Sequence, residues 1–167
     1  MRTMRFALRH EDLSFVDRAP VVVRGEVLVD AAPEAVWPAF ADEEAWTQWF
    51  AGVREVRFTS PAPHGAGSTR FVHVEGFRVN ERLLAFDVDR RFAFRVENAN
   101  LPMLVAMVEV ITLEPVGAGT RVVYRQALRP KWWFRPLLPI LRRQMESGLR
   151  RGLAGLGPWV AKAASRT

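Results

Sequence analysis

The side chains in this sequence that could do chemistry are few, and most sit inside apolar segments. Glu109 interrupts a run of apolar residues that begins at Leu101 and resumes with Val110, Ile111 and Leu113. Arg70 stands in Ser68–Glu75, Glu81 in Phe77–Phe86, and Tyr124 with Gln126 in Thr120–Arg129. A carboxyl, a phenol and a guanidinium brought together could move a proton or steady a developing oxyanion, so Glu109, Tyr124 and Arg70 are the candidate catalytic set. Other chemistries lack their residues. The chain has no cysteine, which removes disulfides, thiolate nucleophiles and Cys-ligated zinc. His10, His64 and His73 have no partner at metal-ligand spacing, and neither a metal nor a cofactor is expected. Gly65-Ala66-Gly67-Ser68-Thr69 lacks the lysine of a phosphate loop and precedes a strand rather than a helix. No Gly-x-Ser-x-Gly elbow is present.

The elements that must position these groups follow from periodicity. Val21, Val23, Gly25, Val27 and Val29 alternate with Val22, Arg24, Glu26, Leu28 and Asp30, the period of a strand. Pro33 suits the first turn of a helix, and Glu34 complements its dipole. Val36, Trp37 and Phe40 form an apolar patch at helical spacing. Asp42 can cap a second short helix that buries Trp46, Trp49 and Phe50. Strand-like segments follow at Val53–Thr59, Ser68–Glu75, Phe77–Phe86, Arg91–Asn98, Met103–Glu114 and Thr120–Arg129. Their short connections imply antiparallel hairpins. After Pro136 and Pro139 a helix runs from about Ile140 to Lys162, with Leu138, Leu141, Met145, Leu149, Leu153, Leu156 and Val160 on one stripe. Gly148, Gly152 and Gly155 in that helix imply close packing against the sheet, with an adjustable lid as the alternative. Residues 1–19 show no period and are read as an N-terminal extension to a domain of residues 20–163.

Charge is distributed unevenly. Of the net +6, residues 129–167 contribute nine basic groups against one acid, Glu146. Such a segment is a solvated helix face or a docking surface for an acidic partner or membrane. Nucleic-acid binding is not expected, because no recognition motif or interleaved stacking aromatics accompany the charge. Trp132-Trp133-Phe134, at the hand-over from last strand to helix, either closes one end of the core or forms an amphipathic lip that touches a membrane or gates a cavity. The N-terminus has no continuous apolar stretch of the signal-peptide kind, and no apolar run reaches membrane-spanning length. A soluble, cytoplasmic protein is expected, as a monomer or homodimer.

The order of strand, two short helices, six strands and long helix resembles the Bet v 1/START-like (SRPBCC) superfamily, particularly its bacterial polyketide cyclase/dehydrase-like branch. The likeness is carried by Val27-x-Val29-x-Ala31-Ala32-Pro33-Glu34-Ala35-Val36-Trp37, by Asp42 with Trp46-x-x-Trp49, and by Gly65-x-Gly67-Ser68-Thr69-Arg70. Arg90-Arg91-Phe92-Ala93-Phe94-Arg95-Val96 and Gly119-Thr120-Arg121-Val122-Val123-Tyr124 complete it. The resemblance implies an α+β helix-grip fold, in which a curved seven-stranded antiparallel sheet wraps a long C-terminal helix around a space for a small hydrophobic molecule such as a lipid, quinone or polyketide-like compound.

Strand parity then selects the residues facing that space. The expected lining is Arg70, Val72, Glu81, Leu83, Phe92, Phe94, Met107, Glu109, Ile111 and Tyr124, with Met145 and Leu149 from the helix. Burial alone raises a carboxyl pKa by roughly 3–5 units, whereas an arginine within reach lowers it by about 1–3. A Glu109 paired with Arg70 is a structural element or orients a polar ligand head; a lone Glu109 is a general acid. Function divides accordingly. The protein is a ligand carrier, or an aromatase/cyclase-like enzyme using Glu109, Tyr124 and Arg70, or a docking module acting through its basic helix.

Overall fold

The computed structural model describes residues 6–166. Its elements, in chain order, are β1 (Phe6–Ala7), α1 (Phe15–Arg18), β2 (Val21–Val29), α2 (Pro33–Val36), α3 (Pro38–Ala41), α4 (Glu43–Trp49), β3 (Val53–Phe58), β4 (Thr69–Val74), β5 (Phe77–Asp87), β6 (Arg91–Ala99), β7 (Leu104–Val116) and β8 (Gly119–Pro130). A 3₁₀ segment (Trp132–Leu137) then leads into α5 (Leu138–Ala154) and α6 (Leu156–Ala164). The sheet order is β2-β8-β7-β6-β5-β4-β3, with every pairing antiparallel. This is the α+β helix-grip architecture, and each strand read from alternation falls within two residues of its observed bounds.

The N-terminal residues add an eighth strand that sequence periodicity does not show. Pairing of β6 with β7 stops at Arg95 and Val108, and β1 takes over β6 at Asn98 and Ala99. The backbone N–H of Leu8 donates to Glu97 O, and that of Arg9 to Val105 O, so the segment bridges two diverging strands. Phe15 and Val16 of α1 then bury against Ala93, Ala106, Val108, Val110 and Ala127 on the sheet's outer face. That cover explains why β7 is apolar on both faces. A two-residue strand and a one-turn helix are too short to leave a period of their own.

On the inner face, α2, α3 and α4 cover one half of the sheet and α5 the other. Trp37, Phe40, Trp46 and Trp49 fill the first half with edge-on and tilted ring contacts among themselves and with Phe86 and Phe92. The indole N–H of Trp46 donates to Phe40 O and that of Trp49 to Ala39 O, at 3.0 and 2.8 Å, which fixes both rings. The Asp42 carboxylate caps α4 by accepting from the Glu44 N–H at 2.9 Å. Asp42→Ala should therefore cost about 1 kcal/mol, lowering the melting temperature by roughly 2–4 °C. An unchanged melting curve would refute the cap's contribution.

The C-terminal helix is two helices, not the continuous one that the stripe suggests. It breaks at Gly155, where a Cβ would lie 2.1 Å from the carbonyl oxygen of Trp49. The backbone of α4 sits in that notch, and Trp159 of α6 donates to Gln48 from the far side at 2.9 Å. Gly152 packs equally tightly on the ring of Phe50, whereas a Cβ at Gly148 would meet nothing within 4 Å. Two of the three helix glycines are thus closely packed, but against the end of α4 rather than against the sheet as expected, and Gly148 borders open space.

Candidate functional site

That open space is a cavity of about 490 Å³ between α5 and the inner sheet face. Strand alternation directs Arg70 and Val72 of β4, Val79 and Glu81 of β5, Phe94 and Val96 of β6, and Met107 and Glu109 of β7 into it. Tyr124 and Gln126 enter from β8, and Met145 and Leu149 from α5. Nine of the twelve expected lining residues meet there. Leu83, Phe92 and Ile111 do not. They share the inward face but lie deeper, in solid core under the aromatic rings of the short helices, with Phe92 in ring contact with Trp37 and Trp46. Parity fixes which face a residue is on; only the packed helices decide how far the hollow extends along it. Leu101, Met103 and Leu141 line the cavity as well, although strand parity does not single them out. Leu141 lies on the apolar helix stripe, which was the available signal.

The polar groups gather at the closed end. Arg70, with 2% of its surface exposed, donates through Nε to Glu81 Oε2 at 2.7 Å. Its guanidinium also lies 4.5–5.0 Å from the ring centres of Phe94, Trp46 and Phe92. The pair forms because Arg70 and Glu81 are direct cross-strand neighbours. Of the two alternatives for Glu109, this removes direct pairing with Arg70. It also weakens Arg70 as an oxyanion stabiliser, since its charge is already neutralised.

Glu109 is held instead by β8. The Tyr124 hydroxyl and the Gln126 amide, the latter at 3.1 Å, both donate to its Oε2. The register dictates this, with Glu109 opposite Gln126 and Ile111 opposite Tyr124. Burial, joined by the negative charge of Glu81, pushes the Glu109 carboxyl up to about 7; the hydrogen bonds from Tyr124 and Gln126, and Arg70's charge, oppose that. Burial and the neighbouring Glu109 push the Tyr124 phenol well above its ordinary range. Burial likewise raises Glu81, with Arg70 acting against it. Since both donors reach Oε2, the proton of neutral Glu109 belongs on Oε1. The carboxyl can then donate to a carbonyl when neutral and accept from a hydroxyl when ionised.

At the other end, Glu75, Gly76, Leu101 and Gln144 are exposed and form the mouth. A second groove begins there and is lined by Pro139, Ile140, Arg143, Ser147 and Arg151. Among the described residues no cluster of three His, Asp or Glu side chains could hold a metal. His64 stacks on Phe58 with ring centres 3.7 Å apart. No helix among the described residues is long and apolar enough to cross a membrane.

A sheet gripping a helix over an apolar cavity with a polar blind end defines a START/Bet v 1-type hydrophobic ligand-binding fold. The chain belongs to the family described as polyketide cyclase / dehydrase and lipid transport, whose sequence pattern matches residues 20–158. An uncharacterized protein of Mycobacterium tuberculosis is 32% identical over 145 residues, covering 86% of this chain and 87% of that protein. Among solved structures, a START superfamily protein from Mycobacterium smegmatis matches with a TM-score of 0.71 at 16% identity, over 85% of this chain and 98% of that one. The Zhui aromatase/cyclase from Streptomyces matches at 0.66 and 19% identity, over 87% and 94%. At those identities the structural matches establish the fold.

Proposed function

We propose that the protein binds one elongated apolar molecule, of the lipid, quinone or polyketide-like kind, with a carbonyl or hydroxyl group at its inner end. The observation that supports this is the mouth-to-end polarity of the cavity, apolar along its walls and closed by the Glu109–Tyr124–Gln126 cluster. Its volume falls within the range of small-molecule sites, roughly 300–1,000 Å³. Arg70 and Glu81 act as the internal brace of that end. In this reading the protein is a carrier in the cytoplasm, with the domain bounded at residues 20–163 and residues 6–19 sealing its outer face.

Native mass spectrometry and solvent extraction of the purified protein test the proposal directly, together with titration by the apolar dye N-phenylnaphthylamine. An equimolar complex or an extracted guest supports it. Met145→Trp should fill the mid-cavity and weaken dye binding by about tenfold or more. If wild type takes up neither guest nor dye, or if Met145→Trp binds the dye equally well, the proposal fails.

A second reading is an enzyme acting on a poly-carbonyl substrate. It is favoured by one feature: burial raises the Glu109 carboxyl to about 7, so that it exchanges a proton near neutral pH, while Tyr124 and Gln126 bond only its Oε2. Turnover of such a substrate that survives both Glu109→Gln and Tyr124→Phe would remove these residues from any catalytic role.

A further inference from the structure

The segment that follows β8 exposes side chains that proteins usually bury. Trp132 is 77% exposed, Trp133 46%, Leu137 48% and Ile140 59%. The core-closing reading of the two tryptophans is therefore incorrect. These four residues span the 3₁₀ segment and the first turn of α5, and the chain enters that segment through the Lys131 N–H bonded to Met103 O, at the cavity mouth. Leu101, another exposed large apolar residue, lines the same mouth. Between Arg129 and Met145 the sequence carries Arg129, Lys131, Arg135, Arg142 and Arg143 and no acid. Nearby acids are Glu146, which bonds Arg142 at 3.0 Å, and Glu75 across the outer groove from Arg143 and Arg151.

We infer that this lip docks on the surface of an anionic lipid bilayer, with Trp132, Trp133, Leu137 and Ile140 in the interfacial layer and Lys131, Arg135 and Arg143 against the head groups. Indole rings favour the boundary between head groups and acyl chains, and basic residues beside them add electrostatic attraction. Each basic residue near an anionic surface raises partitioning by about fivefold. An acidic protein would satisfy the cations and leave two exposed indoles and two aliphatic side chains without a counterpart, so the bilayer fits both features. Docking there sets the cavity mouth on the membrane surface, where a guest of the kind proposed above resides; the purpose of docking rests on that reading, the docking itself does not.

Co-sedimentation of the full chain with phosphatidylcholine vesicles, with and without phosphatidylglycerol, tests the inference. Wild type should bind the mixed vesicles, by about tenfold or more over phosphatidylcholine alone, and high salt should weaken binding. Trp132→Ala/Trp133→Ala and Arg135→Glu/Arg143→Glu, all at exposed positions, should each lose about tenfold or more. Absence of vesicle binding overturns the inference, as does binding indifferent to both double variants. So does a finding that the tryptophan variant only dissolves a homodimer or releases an acidic protein partner. Dye uptake by the tryptophan variant without lipid keeps the two proposals separate: a wild type that binds vesicles but no dye refutes the cavity proposal alone.

Discussion

Arg70→Met is expected to destabilise the protein by about 3–5 kcal/mol, because it leaves Glu81 as an unpaired carboxylate in the interior. For a chain of this size, that is a fall in melting temperature of roughly 6–20 °C. The argument rests on burial rather than on the attraction itself. Both side chains are almost fully enclosed, and their 2.7 Å hydrogen bond replaces water that neither can reach. The guanidinium also loses contact with three aromatic faces. Adding Glu81→Leu to Arg70→Met should restore much of the loss, since replacing a whole buried pair by apolar groups is often neutral. A single variant that melts with wild type, or a double variant no better than the single, would contradict the brace.

Glu109→Gln should stabilise the protein at pH 8 and leave it unchanged at pH 4. The folded-state value of the Glu109 carboxyl, about 7, lies above its ordinary 4.5. Between those values the folded protein keeps a proton that the unfolded chain has released, so stability falls as pH rises through that window and is level above it. At about 1.4 kcal/mol per unit the full penalty is on the order of 3 kcal/mol. The glutamine has no charge to desolvate, and its carbonyl oxygen can still accept from Tyr124 and Gln126. Denaturant unfolding at pH 4 to 8 checks this: wild type should lose stability relative to the variant across the window. Parallel pH profiles would be falsifying. The same titration predicts that a guest presenting a carbonyl binds more tightly below pH 7 than above it.

Much of the site was present in the alternation of the strands. Met107, Glu109, Ile111 and Leu113 on one strand, and Val122, Tyr124 and Gln126 on the next, take the inward face; on β7, buried on both faces, the polar Thr112 and Glu114 ending the alternate set marked which face was which. The order of elements carried the fold in the same way. The partner of Arg70 was not legible from parity, which places Arg70, Glu81 and Glu109 on one face without saying which strands adjoin. Antiparallel register put Glu81 beside Arg70 and gave Glu109 to β8.

Composition and spacing by themselves determined which residues face inward, where turns fall, and that the only concentrated positive charge lies after residue 128. Tertiary structure decided three further matters: that the short helices fill half of the inner face and leave Leu83, Phe92 and Ile111 in solid core, that α1 buries the outer face, and that Trp132 and Trp133 remain in solvent. Periodicity is a property of one element, set by the backbone repeat. Which surfaces meet depends on the joint packing of elements far apart in the chain, and a local pattern carries no record of its distant partner.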